Sequence, residues 1–140
     1  INSTEINSTE INSTKDNILV NKVISPLKIA ENLTAFWSPK IVGEVDDAYL
    51  KVAKLKGTLT WHAHDEEDEM FLVLRGELII EMEEETVTLR EGEFFVVPRG
   101  VRHNPIANKE CLVLLFEKKT TLHTGGIEHP KTKSIEEQLE

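Results

Sequence analysis

Thr58-Leu59-Thr60-Trp61-His62-Ala63-His64, then Asp65-Glu66-Glu67-Asp68, then Glu69-Met70-Phe71-Leu72-Val73-Leu74-Arg75-Gly76 is the stretch that decides the fold. Two runs rich in β-formers flank a polar interval, which is the pattern of paired strands joined by a loop. Side chains alternate across a strand, so Thr58, Thr60, His62 and His64 share one face, and Leu59, Trp61 and Ala63 the other. In the second run Glu69 shares its face with Phe71, Val73 and Arg75. A hairpin returns Glu69 to the side of the two histidines. The acidic run between them reads as its solvated loop.

The same texture continues outward. Residues 51–56, 58–64, 70–74, 78–82, 86–89, 94–97, 101–106 and 111–117 are short runs rich in Val, Ile, Leu and Phe. Lys56-Gly57, Arg75-Gly76, Glu91-Gly92 and Arg99-Gly100 place turn glycines between them. Closely spaced short strands predict an all-β sandwich or barrel. No amphipathic segment of helix length interrupts them, which sets aside a doubly wound α/β sheet. Upstream, residues 17–20 are expected as a short strand and residues 32–37 as a helical turn before Pro39. Ser25-Pro26 and Ser38-Pro39 are read as turns or extended links. Residues 134–139 are read as a last helical turn or a frayed end.

The 140 residues suit one domain. Lys and Arg number 16 against 25 Asp and Glu, a net charge of −9 that argues against a nucleic-acid partner. No apolar run reaches the roughly 18 residues of a membrane span, so no membrane partner is expected. The repeat that opens with Ile1-Asn2-Ser3-Thr4-Glu5 fills residues 1–14 and is expected to be a disordered extension or tag. A folded domain over 15–125 and a polar tail over 126–140 complete the expected division. Cys111 is the only cysteine, which excludes an internal disulfide and a cysteine zinc site. It lies in an apolar run and is read as a small buried hydrophobe. With no leader apparent, the reducing cytoplasm is the expected compartment.

Far along the chain His103 follows Pro98-Arg99-Gly100 and opens another strand. Singly, a His-x-His pair is more often decoration or a satisfied polar pair than a ligand set. Together His62, His64, Glu69 and His103 offer three imidazoles and one carboxylate, a set suited to a divalent first-row metal ion with positions left open.

Gly57, His62, His64, Glu69 and Gly76 resemble the first motif of the cupins, and Gly92, Pro98, Gly100 and His103 match the second, Gly-x5-Pro-x-Gly-x2-His, in full. The stretch between Gly76 and Gly92 is similar to the short spacer of small microbial cupins. Two departures exist: one residue fewer separates Gly57 from His62, and Asn108 lies one place late, so Asn108 is given no role. The broader likeness runs from Trp37 to Gly125, and resembles the stand-alone cupins often labelled mannose-6-phosphate isomerase-like. The resemblance implies a double-sheet jelly-roll barrel, a metal inside it on His62, His64, Glu69 and His103, and a homodimer. One transition metal ion per chain is implied, with Fe, Mn, Ni, Zn, Cu and Co all compatible with these ligands.

Phe71 and Val73, joined by Phe94 or Phe95, are expected either to wall an apolar cavity or to fill a narrow core. Trp61 is read as packing, Leu59 and Trp61 as covering an outer face with Met70, Leu72 and Leu74, and Trp37 as core. Such an outer face needs a second chain or the N-terminal segment to cover it. Arg75, Arg99 and Arg102 are weighed as anion clamps and read as surface charges, which weakens the sugar-phosphate label. His123 and His129 are read as exposed and without function, against the alternative that the turn over residues 121–126 folds back near the cavity. The leading expectation is a metal-binding cupin that handles a small organic molecule as an oxygenase, isomerase, epimerase or lyase. A non-catalytic metal- or metabolite-binding module is the other reading. Apart from Glu69, no acid is assigned to the ligand face, which leaves the enzyme reading short of a proton-transfer group.

Overall fold

A computed structural model describes residues 21–126 and 129–140. The strand expected at 17–20 and the repeat over 1–14 lie outside them. Seven strands form the body: β1 (Lys40–Val45), β2 (Ala48–Thr58), β3 (Glu69–Arg75), β4 (Leu78–Met82), β5 (Thr86–Leu89), β6 (Phe94–Val97) and β7 (His103–Lys118). All pairings between these strands are antiparallel. One layer runs β1-β2-β7-β3-β6, while β4 and β5 pair with each other and β4 joins the first part of β7. The molecule is the expected all-β jelly roll.

Alternation sorts the faces as the residues predict. Along β3, Glu69, Phe71 and Val73 are buried and Met70, Leu72 and Leu74 half-buried, and along β4 Leu78, Ile80 and Met82 point inward. These inward residues, with Leu55, Val113 and Leu115, form the main core. Burying each large apolar side chain contributes about 1.5–3 kcal/mol.

Three expectations need correction. The runs expected at 101–106 and 111–117 belong to a single strand, β7, which starts at His103 and whose middle residues Asn108, Lys109 and Glu110 are exposed. The expected strand over 58–64 is reduced to one bridge, His62 with His103. The ladder lapses beside Pro105, which has no N–H to donate. With the ladder gone, alternation fails too: Leu59 turns into the core rather than onto an outer face. Upstream, the helix α1 is Pro26–Glu31, not 32–37. Ser25 caps it by accepting the Lys28 N–H, and Pro26 occupies the first turn, where a missing N–H costs nothing. Trp37 has a φ of 57°, which no right-handed helix accommodates.

Helix α1 lies over the outer face of the sheet, with Ala30 against Val52 and Leu112 and with Leu74 and Leu114 beside them. The N-terminal segment thus covers part of the apolar outer face. Phe94, Val96 and Phe116, next to it on β6 and β7, remain exposed. At the other end α2 (Ile135–Leu139), capped by Ser134, sets Ile135 and Leu139 against Ile41 and Tyr49. No helix among the described residues is long and apolar enough to cross a membrane.

Gly76 closes the β3–β4 turn at a φ of 93°, and a Cβ there would sit 2.9 Å from the Glu110 carbonyl oxygen. Gly92 has a similar φ of 82° but open space around it. Gly76→Ala should therefore destabilise the fold by about 2–3 kcal/mol and Gly92→Ala by about 1 kcal/mol, read from urea unfolding. Equal losses would show that backbone conformation alone sets the cost.

Candidate metal centre

His62 and His103 meet first through their backbones: His62 N–H donates to the His103 carbonyl at 3.0 Å, and His103 N–H returns the bond at 2.8 Å. Each ring is then aimed by its own loop. His62 Nδ1 lies 2.8 Å from the Thr60 carbonyl and His103 Nδ1 lies 3.0 Å from the Val101 carbonyl. A carbonyl only accepts, so both Nδ1 atoms carry a proton, and in the neutral ring each Nε2 presents a lone pair. The turn at Gly100 is pinned to the histidine loop, because Gly100 N–H donates to the His64 carbonyl at 2.8 Å. His64 Nε2 and His103 Nε2 stand 3.1 and 3.3 Å from Glu69 Oε1. All four residues are buried, and one ligand atom from each lies within 4.8 Å of the others.

His103 supplies the test of whether a metal fits. Its Nδ1 faces a carbonyl oxygen and its Nε2 faces a carboxylate oxygen. A neutral imidazole has one proton for those two acceptors, so the second contact lacks a positive partner. A cation between Nε2 and Oε1 supplies it. The separations agree: two ligands bound at about 2.1 Å and roughly at right angles lie about 3 Å apart.

The electrostatics follow from burial. His62 is pushed down to about 4 by desolvation, with His103 adding to the effect. Burial also works against a charged His64, but the Glu69 carboxylate beside it outweighs that and holds His64 above its ordinary value. Glu69 is held well below the usual carboxylate range: burial opposes this, and hydrogen bonds with Glu117, His103 and His64 prevail.

Glu117 is the acid that sequence reading missed. It sits directly opposite Glu69 in the β3–β7 ladder and is buried, and its Oε1 lies 2.6 Å from Lys51 Nζ, itself buried. Burial and then the Glu69 charge push the Glu117 carboxyl well above its ordinary value. The absence of a second acid near the ligand face is therefore corrected. Alternation carried the signal, since Cys111, Val113, Leu115 and Glu117 follow one face of β7.

His123 is a second correction. It is not an idle surface residue: with His62 and Glu69 it lines a small, partly open cavity whose other walls include Trp37, Leu55, Leu59, Phe71 and Leu115. Its Nδ1 accepts the Lys133 N–H at 2.8 Å, and burial pushes the ring down to about 4. The turn character of residues 121–126 is the one sequence signal for this placement. Gly125 holds the same segment against the metal loop, where any Cβ would overlap the Ala63 carbonyl between His62 and His64.

The remaining candidates fall outside the site. Arg75, Arg99 and Arg102 make exposed ion pairs with Glu31, Asp68 and Glu83. Trp61 is half-buried with the Arg102 guanidinium 5.4 Å from its ring centre. Trp37 is core and cavity wall together, its indole N–H donating to the Lys56 carbonyl at 2.7 Å. Phe95 packs on the core and Phe94 is exposed, and neither lines the cavity. His129 is half-buried and accepts the Lys131 N–H.

Residues 50–116 match the family model of the cupin domain. The chain is 30% identical over 101 residues to the uncharacterized protein YdbB of Bacillus subtilis, a match covering 71% of this chain and 89% of that one. The crystal structure of a cupin-2 domain containing protein from Shewanella frigidimarina superposes with a TM-score of 0.67 at 35% identity, over 69% of this chain and 94% of the other. The protein belongs to the cupin family. A shorter match, 31% identical over 67 residues, joins it to a 3-hydroxyanthranilate 3,4-dioxygenase of Aspergillus fumigatus, covering 44% of this chain and 36% of the fungal one.

The Lys51–Glu117 pair is buried beside Glu69 and must be broken or kept as a unit. Lys51→Met should cost about 3–5 kcal/mol in urea unfolding, because it strands a buried carboxyl, and adding Glu117→Gln should return much of that loss. A cost below about 1 kcal/mol would mean that Lys51 is reached by water.

Proposed function

We propose that this cupin holds one divalent transition metal ion on His62, His64, Glu69 and His103, and that it takes a small, mostly apolar organic molecule into the adjoining cavity. The observation that carries the reading is His103, whose two ring nitrogens both face acceptors. Fe, Mn, Ni, Zn, Cu and Co all suit imidazole and carboxylate ligands. Such an ion, when bound, supplies Lewis acidity or oxygen activation.

The chain's own residues do the rest. Trp37, Leu55, Leu59, Phe71 and Leu115 exclude water and so strengthen electrostatic contacts inside the cavity. Glu117 stands behind Glu69 rather than on the cavity wall, with its carboxyl pushed up by burial and by the Glu69 charge, and it ties Glu69 to Lys51. No Lys or Arg among the described residues lines the cavity, which weighs against a phosphorylated substrate. Among oxygenase, isomerase and lyase chemistries, the likeness to the fungal dioxygenase favours oxygenation of an aromatic ring. The net charge of −9 weighs against nucleic acid, and a free, buried Cys111, pushed up to about 12 by burial, suits the reducing cytoplasm.

A second copy of the chain is the proposed cover for Phe94, Val96 and Phe116, giving a homodimer.

Elemental analysis of protein purified without a nickel column should find about one metal ion per chain, and almost none in His62→Ala. Glu69→Gln should weaken retention far more than Asp68→Asn, since Asp68 is exposed and paired with Arg99. A folded, metal-free parent that ignores added ions would sink the metal reading and leave a metabolite-binding module. Light scattering should give twice the chain mass, and Val96→Lys should shift it to the monomer. A monomeric parent would end the dimer proposal.

A further inference from the structure

The site histidines are wired in two opposite polarities. His62 and His103 donate from Nδ1 to backbone carbonyls, which leaves each Nε2 free as a ligand. His123 is reversed, because its Nδ1 receives a backbone N–H from Lys133 at 2.8 Å. With Nδ1 accepting, the ring proton must sit on Nε2. Burial keeps this ring uncharged at neutral pH. Ligating a metal through Nε2 would move that proton to Nδ1 and set it against the Lys133 N–H. His123 therefore stays outside the group of four, in agreement with its position.

Contacts on the residues that follow set the place of its turn. Thr124 and Thr132 hydroxyls, 2.6 Å apart, tie the two ends of its segment together, and Lys131 Nζ lies 5.7 Å from the centre of the Trp37 ring. Gly125 seats the segment on Ala63. Among the described residues no protein acceptor meets Nε2, while the ring lines the cavity with His62 and Glu69.

We infer that His123 is the cavity's hydrogen-bond donor: its Nε2–H binds an oxygen acceptor, a ketone or phenolic oxygen, on a small molecule whose apolar body packs against Trp37, Leu59 and Phe71. The assignment rests on the reading of this cavity as a ligand site and names the ligand class. Histidine thus plays two roles here, and the backbone partner of Nδ1 decides which.

The test uses the protein as purified, with ¹⁵N-labelled histidine, and two probes of similar shape, acetophenone and ethylbenzene. NMR should find His123 in the Nε2–H form and His62 and His103 in the Nδ1–H form. Acetophenone should bind the parent about fivefold more tightly than ethylbenzene, as one neutral hydrogen bond implies. That margin should vanish in His123→Ala and survive in part in His123→Gln, with the metal content of both variants equal to the parent's. An Nδ1–H tautomer at His123, a margin unchanged in His123→Ala, or a parent that binds neither probe would overturn the assignment. So would loss of metal in His123→Ala to the extent seen in His62→Ala. A metal-free parent with the margin intact would overturn the metal reading alone and still support His123 as the donor.

Discussion

The hydrogen-bonded ladder of β7 is the constraint on which the rest of the molecule depends. This one strand pairs with β2, β3 and β4, so both layers of the barrel are sewn to the same length of backbone. Its first residue, His103, exchanges two backbone bonds with His62, and near its other end Glu117 faces Glu69. Opposite ends of one strand thus meet at one carboxylate because the strand bends across the barrel between them. The core fills the space enclosed by that bend, and the cavity is what the core leaves open.

Placing so much charge inside a small barrel is expensive unless every group has a partner. Lys51 faces Glu117, Glu117 lies against Glu69, and Glu69 meets two imidazoles. The row runs from a fixed cation to the place where an exchangeable one fits. Removing any member leaves its neighbours short of a charge or a proton, so the histidine–carboxylate cluster and the stability of the barrel are one problem. Around this row the apolar walls keep the effective dielectric low and each contact strong.

Much of this was legible in the residues, and the exceptions share a cause. Strands β3 to β6 follow the expected runs, and burial alternates along most of each. The four candidate ligands come together because His62, Glu69 and His103 are anchored by paired backbone. Leu59 broke the alternation because its segment is not in a ladder at all. Lys51 and Glu117 escaped because a charge on a strand is ordinarily assigned to water, and only a second buried charge makes the inward face affordable. Strand β1, with Gly43, Glu44 and a lysine at its start, carries no apolar rhythm to announce it. His123 sits in a turn whose position is set by contacts with distant residues, which no local pattern encodes.

The contact of Gly125 with Ala63 sets an order of events in biosynthesis. The histidine loop leaves the ribosome well before β7, and β7 before the segment that backs the loop. Until then a nascent chain offers any passing ion only the His-x-His pair and Glu69, without His103 and without the support that fixes the loop. Completion of the site therefore waits on contacts that join distant parts of the chain. An ion that these four residues could hold would meet all of them only once β7 has paired.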